Sequence, residues 1–315
     1  MKQLVLTNKG GMQVGITTLG ATLTKLLVPD IKGNLTNVVL SYPLLCDYVL
    51  DPYYMGATIG RYANRIKSGK LIIDNKRYWL ALNEVTADNH LHGGVSGFNK
   101  KLWQVVGQTA ERADLTYTSF DGEEGYPGEL TVIVSFVLNN DNELWIHYQA
   151  NTNKTTIVNL CNHSYFNLSD SSEISTHQLR VYAAYYTPAD ERNIPIGNIE
   201  PVENTVFDFR KGRLLTPAML EFDTVNYVFE DKGGLQLMAT LVDEHSGRRL
   251  QISSTQPGMQ LYFGNYLSDP FQPFQGLCLE PQHFPDAPNK EAFQSPILEP
   301  SETYKHVVCY KFSTV

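Results

Sequence analysis

Apolar residues recur at every second position along much of this chain. In "ELTVIVSFVL", Leu130, Val132, Val134, Phe136 and Leu138 alternate with other neighbours, and after "NNDN" the segment "ELWIHYQA" resumes the pattern with Leu144, Ile146 and Tyr148. Period two is the signature of a strand with one buried face, so these runs predict a β-hairpin. "KLIIDNKRYWLAL" predicts a second hairpin that turns around Asp74 to Arg77, and "RRLQISSTQPGMQLYFGNYL" a third, punctuated by Gln-Pro-Gly. Helical periodicity is scarce. Its best instance is "PLLCDYVLD", where Leu44, Leu45, Tyr48 and Val49 would share one face. Many hairpins without β-α-β alternation predict an all-β fold, a large antiparallel β-sandwich with a few short helices.

Turn signals run the whole length with no Ser/Gly-rich linker, so a single domain over 1–315 is expected. The 42% hydrophobic content, with 18 Tyr and 14 Phe, supplies a sizeable core and argues against disorder. The 25 basic and 33 acidic residues give a net charge of -8 with no basic cluster to neutralise a row of phosphates, which argues against nucleic acid as a partner. The start, "MKQLVLTNKGG", lacks a signal-length apolar stretch, and no window reaches the ~20 apolar residues of a membrane span, so a cytoplasmic protein is expected. Cys46, Cys161, Cys278 and Cys309 are widely spaced without a Cys-x-x-Cys pair and read as free thiols.

Five stretches are too rich in Gly, Pro, His and Asn to be strand interiors. "GRYANRI" places Arg61 and Arg65 four apart, either a solvated or salt-bridged pair or forks for sugar oxygens. "NHLHGG" has His90 and His92 at period two, facing one way if on a strand. A zinc reading would need a third ligand, and no H-E-x-x-H motif accompanies them. "DGEEGYPGEL" reads as an acidic turn, or as carboxylates of a glycosidase. "CNHSYFNLS" sets His163 among Asn162, Asn167, Tyr165 and Phe166, which could orient it and wall it from water. An imidazole, with an ordinary pKa of about 6.5, suits proton transfer near neutrality. In "GLCLEPQHFPDAPN", Glu280 ends an apolar run, costly for a carboxylate unless it is bonded to backbone donors or put to use.

Taken in order, and with "YTPADERNIPIGNIEPVENTVFDFR" and "STQPGMQLYFGNYL", these segments resemble the aldose 1-epimerase (galactose mutarotase) family over most of the chain. The resemblance implies the galactose mutarotase-like supersandwich, a shallow sugar cleft, and interconversion of the anomers of free hexoses such as galactose and glucose without metal or cofactor. It implies His163 as general acid and Glu280 as general base, with Arg65 and His92 contacting the sugar. One element departs from the pattern: the family's Asp-His pair is replaced by "EFDTVNYVFE", where Asp223 is the nearest aspartate. The expected partner is a monosaccharide, with the chain a monomer or homodimer. A hexose-6-phosphate epimerase and a non-catalytic sugar-binding domain of the same fold are the alternatives.

Overall fold

The computed structural model describes residues 1–169, 171–216, 222–230 and 233–315. Its core lies between two antiparallel sheets. The larger has nine strands in the order Gln104–Gln108, Arg112–Ser119, Leu130–Leu138, Glu143–Thr152, Tyr304–Thr314, Arg248–Ser254, Gln236–Asp243, His177–Val181 and Arg213–Leu214. The smaller has six: Tyr165–Phe166, Leu277–Gln282, Gly258–Tyr262, Thr224–Val228, Tyr185–Thr187 and Glu200–Pro201. A four-stranded sheet at the amino terminus and several two-stranded ribbons complete the β structure.

The first hairpin forms as expected. Leu130–Leu138 pairs with Glu143–Thr152 in a register running from Leu138↔Leu144 to Leu130↔Thr152, and the alternating apolar residues of both strands are buried. Each such side chain contributes roughly 1.5–3 kcal/mol through burial. The second hairpin also forms, with a tighter turn than expected: Ile73 pairs with Lys76, so only Asp74 and Asn75 lie outside the ladder, both at positive φ (51° and 61°). A two-residue turn of this hand matches the twist of the flanking strands.

Two expectations fail. Arg248–Ser254 and Gly258–Tyr262 do not pair with each other: the first belongs to the nine-stranded sheet and the second to the six-stranded one. Gln-Pro-Gly therefore carries the chain between layers, because both strands present apolar faces to the same core from opposite sides. The segment "PLLCDYVLD" forms only a 3-10 turn, Leu45–Val49. At three residues per turn Leu45 and Tyr48 align, while Leu44 (61% exposed) and Val49 (52%) splay outward. Among the described residues the helical segments are 3-10 turns of three to five residues.

One buried cluster runs from Leu4 to Phe312 and draws on both large sheets. Across it, Phe166 of the smaller sheet meets Tyr310 of the larger with ring centroids 5.2 Å apart. In the smaller sheet, Val225, Tyr227, Met259, Leu261, Leu277 and Leu279 all face this core. Strand alternation then sends Thr224, Gln260, Tyr262, Cys278 and Glu280 to the opposite face.

Candidate active site

That opposite face floors a cleft of about 560 Å³, within the range of small-molecule sites of about 300–1,000 Å³. Its walls include Tyr53, Tyr54, Asn64, Arg65, Glu84, His92, His163, Tyr165, Arg192, Asp223, Thr224, Gln260, Tyr262, Tyr266 and Glu280. A larger groove of about 700 Å³, lined by Lys67, Lys70, Asp286, Lys290 and Phe293, lies beyond the Arg65–Lys67 strand. It contains neither His163 nor Glu280, so the smaller cleft is where the candidate chemistry converges.

Glu280 stands in mid-strand opposite Gln260 and is 2% exposed. Its carboxylate accepts a 3.5 Å contact from the Cys161 thiol and faces His163, whose Nε2 is 3.8 Å from Oε2. Burial pushes its pKa above the ordinary glutamate value; His163, Cys161 and Arg65 offset part of that. The carboxylate is thus a stronger base than one in water.

His163 sits between the short strands Cys161–Asn162 and Tyr165–Phe166, held by N–H donation to the Ala57 carbonyl and by its own carbonyl accepting from Gly56 N–H, both 2.9 Å. Its Nδ1 lies 3.6 Å from Cys278 Sγ. Tyr54, His92 and Tyr165 surround the ring at centroid distances of 5.8, 5.1 and 5.2 Å. Three of the flanking residues do other work than the sequence suggested. Asn162 donates to Gly56 O and accepts from Ser164, Asn167 ties Ser171 and Gln275 to its own turn, and Phe166 faces the main core. Of the four flanking residues, Tyr165 alone lies against the imidazole.

Arg65 and His92 enter from a ribbon in which Arg65 pairs with Leu91. The guanidinium is clamped by Glu84, with Nη2 to Oε1 at 2.7 Å and Nε to both oxygens. His92 follows the strand at φ 50°, which breaks the alternation. So His90 and His92 do not face one ligand: His90 is buried between the Ala81 carbonyl and the Tyr126 hydroxyl, while His92 turns into the cleft. Asn64 N–H donates to His92 Nδ1 at 3.1 Å, which leaves Nε2–H as the proton-bearing nitrogen. Burial, reinforced by the nearby His163, Arg65 and His90, holds His92 well below the usual imidazole pKa, so it is a neutral donor.

Asp223 also reaches the cleft, accepting from Asn265 Nδ2 at 2.7 Å and from the Tyr266 hydroxyl. Glu221, where its quoted segment begins, lies outside the described residues. Arg61 does not reach the cleft. It is 1% exposed and donates to Pro127 O, Gly128 O, Ser119 O and Oγ, and Phe120 O. Glu123 and Glu124 likewise hold structure: one accepts from Tyr117 and Ser119, the other from Val95 and Ser96 N–H.

Sequence reasoning passed over Glu84, Tyr54 and Gln260. Gln260 donates to Thr224 and keeps a buried Oε1 without a partner, an acceptor available to a hydroxyl. The alternation of Met259 and Leu261 with Gln260 and Tyr262 could have revealed it; Glu84, in a polar loop, carries no such signal.

The family described as aldose 1-epimerase matches residues 2–311. This chain belongs to the aldose 1-epimerase family. The enzyme is an isomerase by class. It is 40% identical to galactose mutarotase of Rattus norvegicus, over 96% of this chain and 91% of that one. It is 33% identical to aldose 1-epimerase of Escherichia coli K12, over 98% and 94%. A crystal structure of an aldose epimerase homologue from C. elegans superimposes with a TM-score of 0.94 at 29% identity, covering 100% and 99% of the two chains.

Proposed function

We propose that this epimerase interconverts the α and β anomers of free hexoses such as galactose and glucose, with Glu280 as general base and His163 as general acid. The observation that carries this reading is the acid/base pair itself, Nε2 and Oε2 at 3.8 Å on the cleft floor. Mutarotation opens a cyclic hemiacetal, so one proton leaves the C1 hydroxyl and another arrives at the ring oxygen as C1–O5 breaks. Both oxygens are bonded to the same carbon. An acid and a base side by side therefore serve both, and neither a free alkoxide nor an oxocarbenium need form. Rotation about C1–C2 presents the other aldehyde face, and ring closure returns both protons. Each transfer handled this way contributes roughly 10²–10⁴-fold.

Arg65, His92 and Asp223 hold sugar hydroxyls in this reading. Glu84 fixes the Arg65 fork, the Nε2–H of neutral His92 donates, and Asp223 accepts. A glycosidase needs two carboxylates spaced about 5–9.5 Å across the scissile bond, whereas here an imidazole stands beside the carboxylate. The cleft charges favour a free sugar over a 6-phosphate: Arg65 and Arg192 stand against Glu84, Glu191, Asp223 and Glu280. We also read the chain as one domain, on the support of a core running from Leu4 to Phe312. A cytoplasmic place accords with the exposed free thiol of Cys46, and a role in carbohydrate metabolism as monomer or homodimer belongs to the same reading.

The test is polarimetry of freshly dissolved α-galactose, α-glucose, xylose, arabinose and maltose, with glucose 6-phosphate alongside. Acceleration is expected on galactose and glucose and not on the phosphate. Sugar binding by calorimetry with no acceleration on any of them would replace the enzyme with a binding domain.

A further inference from the structure

Both members of the acid/base pair are backed by a buried thiol. Cys278 Sγ lies 3.6 Å from His163 Nδ1, and Cys161 Sγ lies 3.5 Å from Glu280 Oε2. Cys278 and Glu280, two apart on one strand, point to the same face. Taking one ligand atom from each of His163, Cys278 and Glu280, all three lie within 4.8 Å of one another. Zinc bonds sulfur at about 2.3 Å and nitrogen or oxygen at about 2.0–2.2 Å, which makes the edges of its tetrahedron about 3.3–3.7 Å. The 3.6 Å and 3.8 Å contacts use different nitrogens of His163, and one ion takes only one of them, so the longest edge of the ligand set is bounded by 4.8 Å and the side chains must close in by up to about 1.5 Å on binding.

We propose that His163, Cys278 and Glu280 form a site for a thiophilic divalent cation such as Zn²⁺, and that its occupation blocks the epimerase. The charges balance in a buried place. One thiolate and one carboxylate neutralise Zn²⁺, and the neutral imidazole adds a lone pair. Formation releases the Cys278 thiol proton to solvent, together with any proton on His163. The burial that raises the thiol's pKa in the metal-free protein works against this step, and the cation's own charge offsets it. A thiolate-imidazole set selects Zn²⁺ or Co²⁺ over Mg²⁺. Since the metal takes the lone pairs of both acid and base, inhibition is competitive with sugar and reversed by a chelator. The binding half rests on geometry alone; the blocking half rests on the assignment of His163 and Glu280 in the preceding section.

The full-length protein with the exposed Cys46 replaced by alanine serves as background, so that a surface thiol does not bind metal. Co²⁺ alone is titrated while thiolate-to-metal charge-transfer absorption is followed, and Zn²⁺ inhibition is measured by polarimetry at several sugar concentrations. Expected are one Co²⁺ per chain with the charge-transfer band, Zn²⁺ inhibition that rising galactose relieves, and no effect of Mg²⁺. Cys278→Ser should lose the band and need at least about tenfold more Zn²⁺ for half-inhibition, relative to its own metal-free rate. Cys278→Ala is the substitute should serine lower the melting temperature. No band in the background protein, or a Cys278 variant as sensitive to Zn²⁺ as the background protein, would overturn the site. A band without inhibition would overturn the blocking role and, with it, the assignment of the pair.

Discussion

Glu280→Gln tests the proposed base at nearly constant volume. The substitution removes a proton acceptor from a position 2% exposed, where little room remains for a water to replace it. Strand pairing opposite Gln260 is unaffected, and the Cys161 thiol retains an amide oxygen to contact. Sugar recognition by Arg65, His92 and Asp223 should persist, so the loss falls on kcat. A general base is worth roughly 10²–10⁴-fold, which is about 3–5 kcal/mol of barrier at 1.36 kcal/mol per decade. Stability should move the other way. A glutamate whose folded pKa is raised destabilises the native state once ionised, fully above its folded pKa and not at all below the ordinary value of 4.5. The variant should therefore melt higher than the parent at pH 7.5, and this advantage should shrink to nothing as pH falls toward 4. The assay is polarimetry of fresh α-galactose with the spontaneous rate subtracted, paired with thermal melts at both pH values. A kcat within threefold of the parent would refute the base assignment, and a lower melting temperature at pH 7.5 would refute the account of burial.

Three further outcomes follow from the same geometry. The acid limb of kcat/KM against pH should lie above the ordinary glutamate value, since Glu280 must be deprotonated and its pKa is raised; a limb at or below 4.5 would contradict this. Glu84→Gln weakens the clamp on Arg65, so KM for galactose should rise about tenfold with a smaller change in kcat, and an unchanged KM would show that the clamp does not position the fork. Arg61→Lys cannot reproduce the fork spanning Ser119, Phe120, Pro127 and Gly128, so urea unfolding should report a loss of about 2–4 kcal/mol, with the rate per folded molecule nearly intact.

Strand content was legible because one face of each strand is buried and alternation records that face, as in Leu130 to Leu138. Connectivity was not. Gln-Pro-Gly reads as a hairpin turn whether its strands pair in one sheet or face each other across a core, since both arrangements demand the same apolar spacing. The structure brings His163, Glu280, Arg65, His92 and Asp223 to one cleft, and their segments were visible because polar, Gly-rich stretches interrupt the strand pattern. The local roles around them were less so. His90 and His92 looked equivalent by spacing, but a positive φ at His92 sends one into the core and the other to the cleft. Asn162 and Asn167 looked like supports for His163 by adjacency, yet short polar side chains satisfy nearby backbone groups first. The thiols that do approach the pair come from a neighbouring strand end and from two residues before Glu280, positions for which a list of isolated cysteines offers no hint.

The seating of His163 against the strand Leu277–Gln282 bears on how the enzyme comes to life after synthesis. Cys278 and His163 are 115 residues apart in the chain, and the strand just after His163, Tyr165–Phe166, joins that of Cys278 through two residue pairs, Tyr165↔Cys278 and Phe166↔Leu277. Closing a loop of that length costs on the order of 4 kcal/mol before any contact repays it, whereas hairpins such as Leu130–Leu138 with Glu143–Thr152 close locally. Mutarotation should thus be the last property regained on refolding, later than strand circular dichroism, which makes catalytic activity a reporter of completed topology.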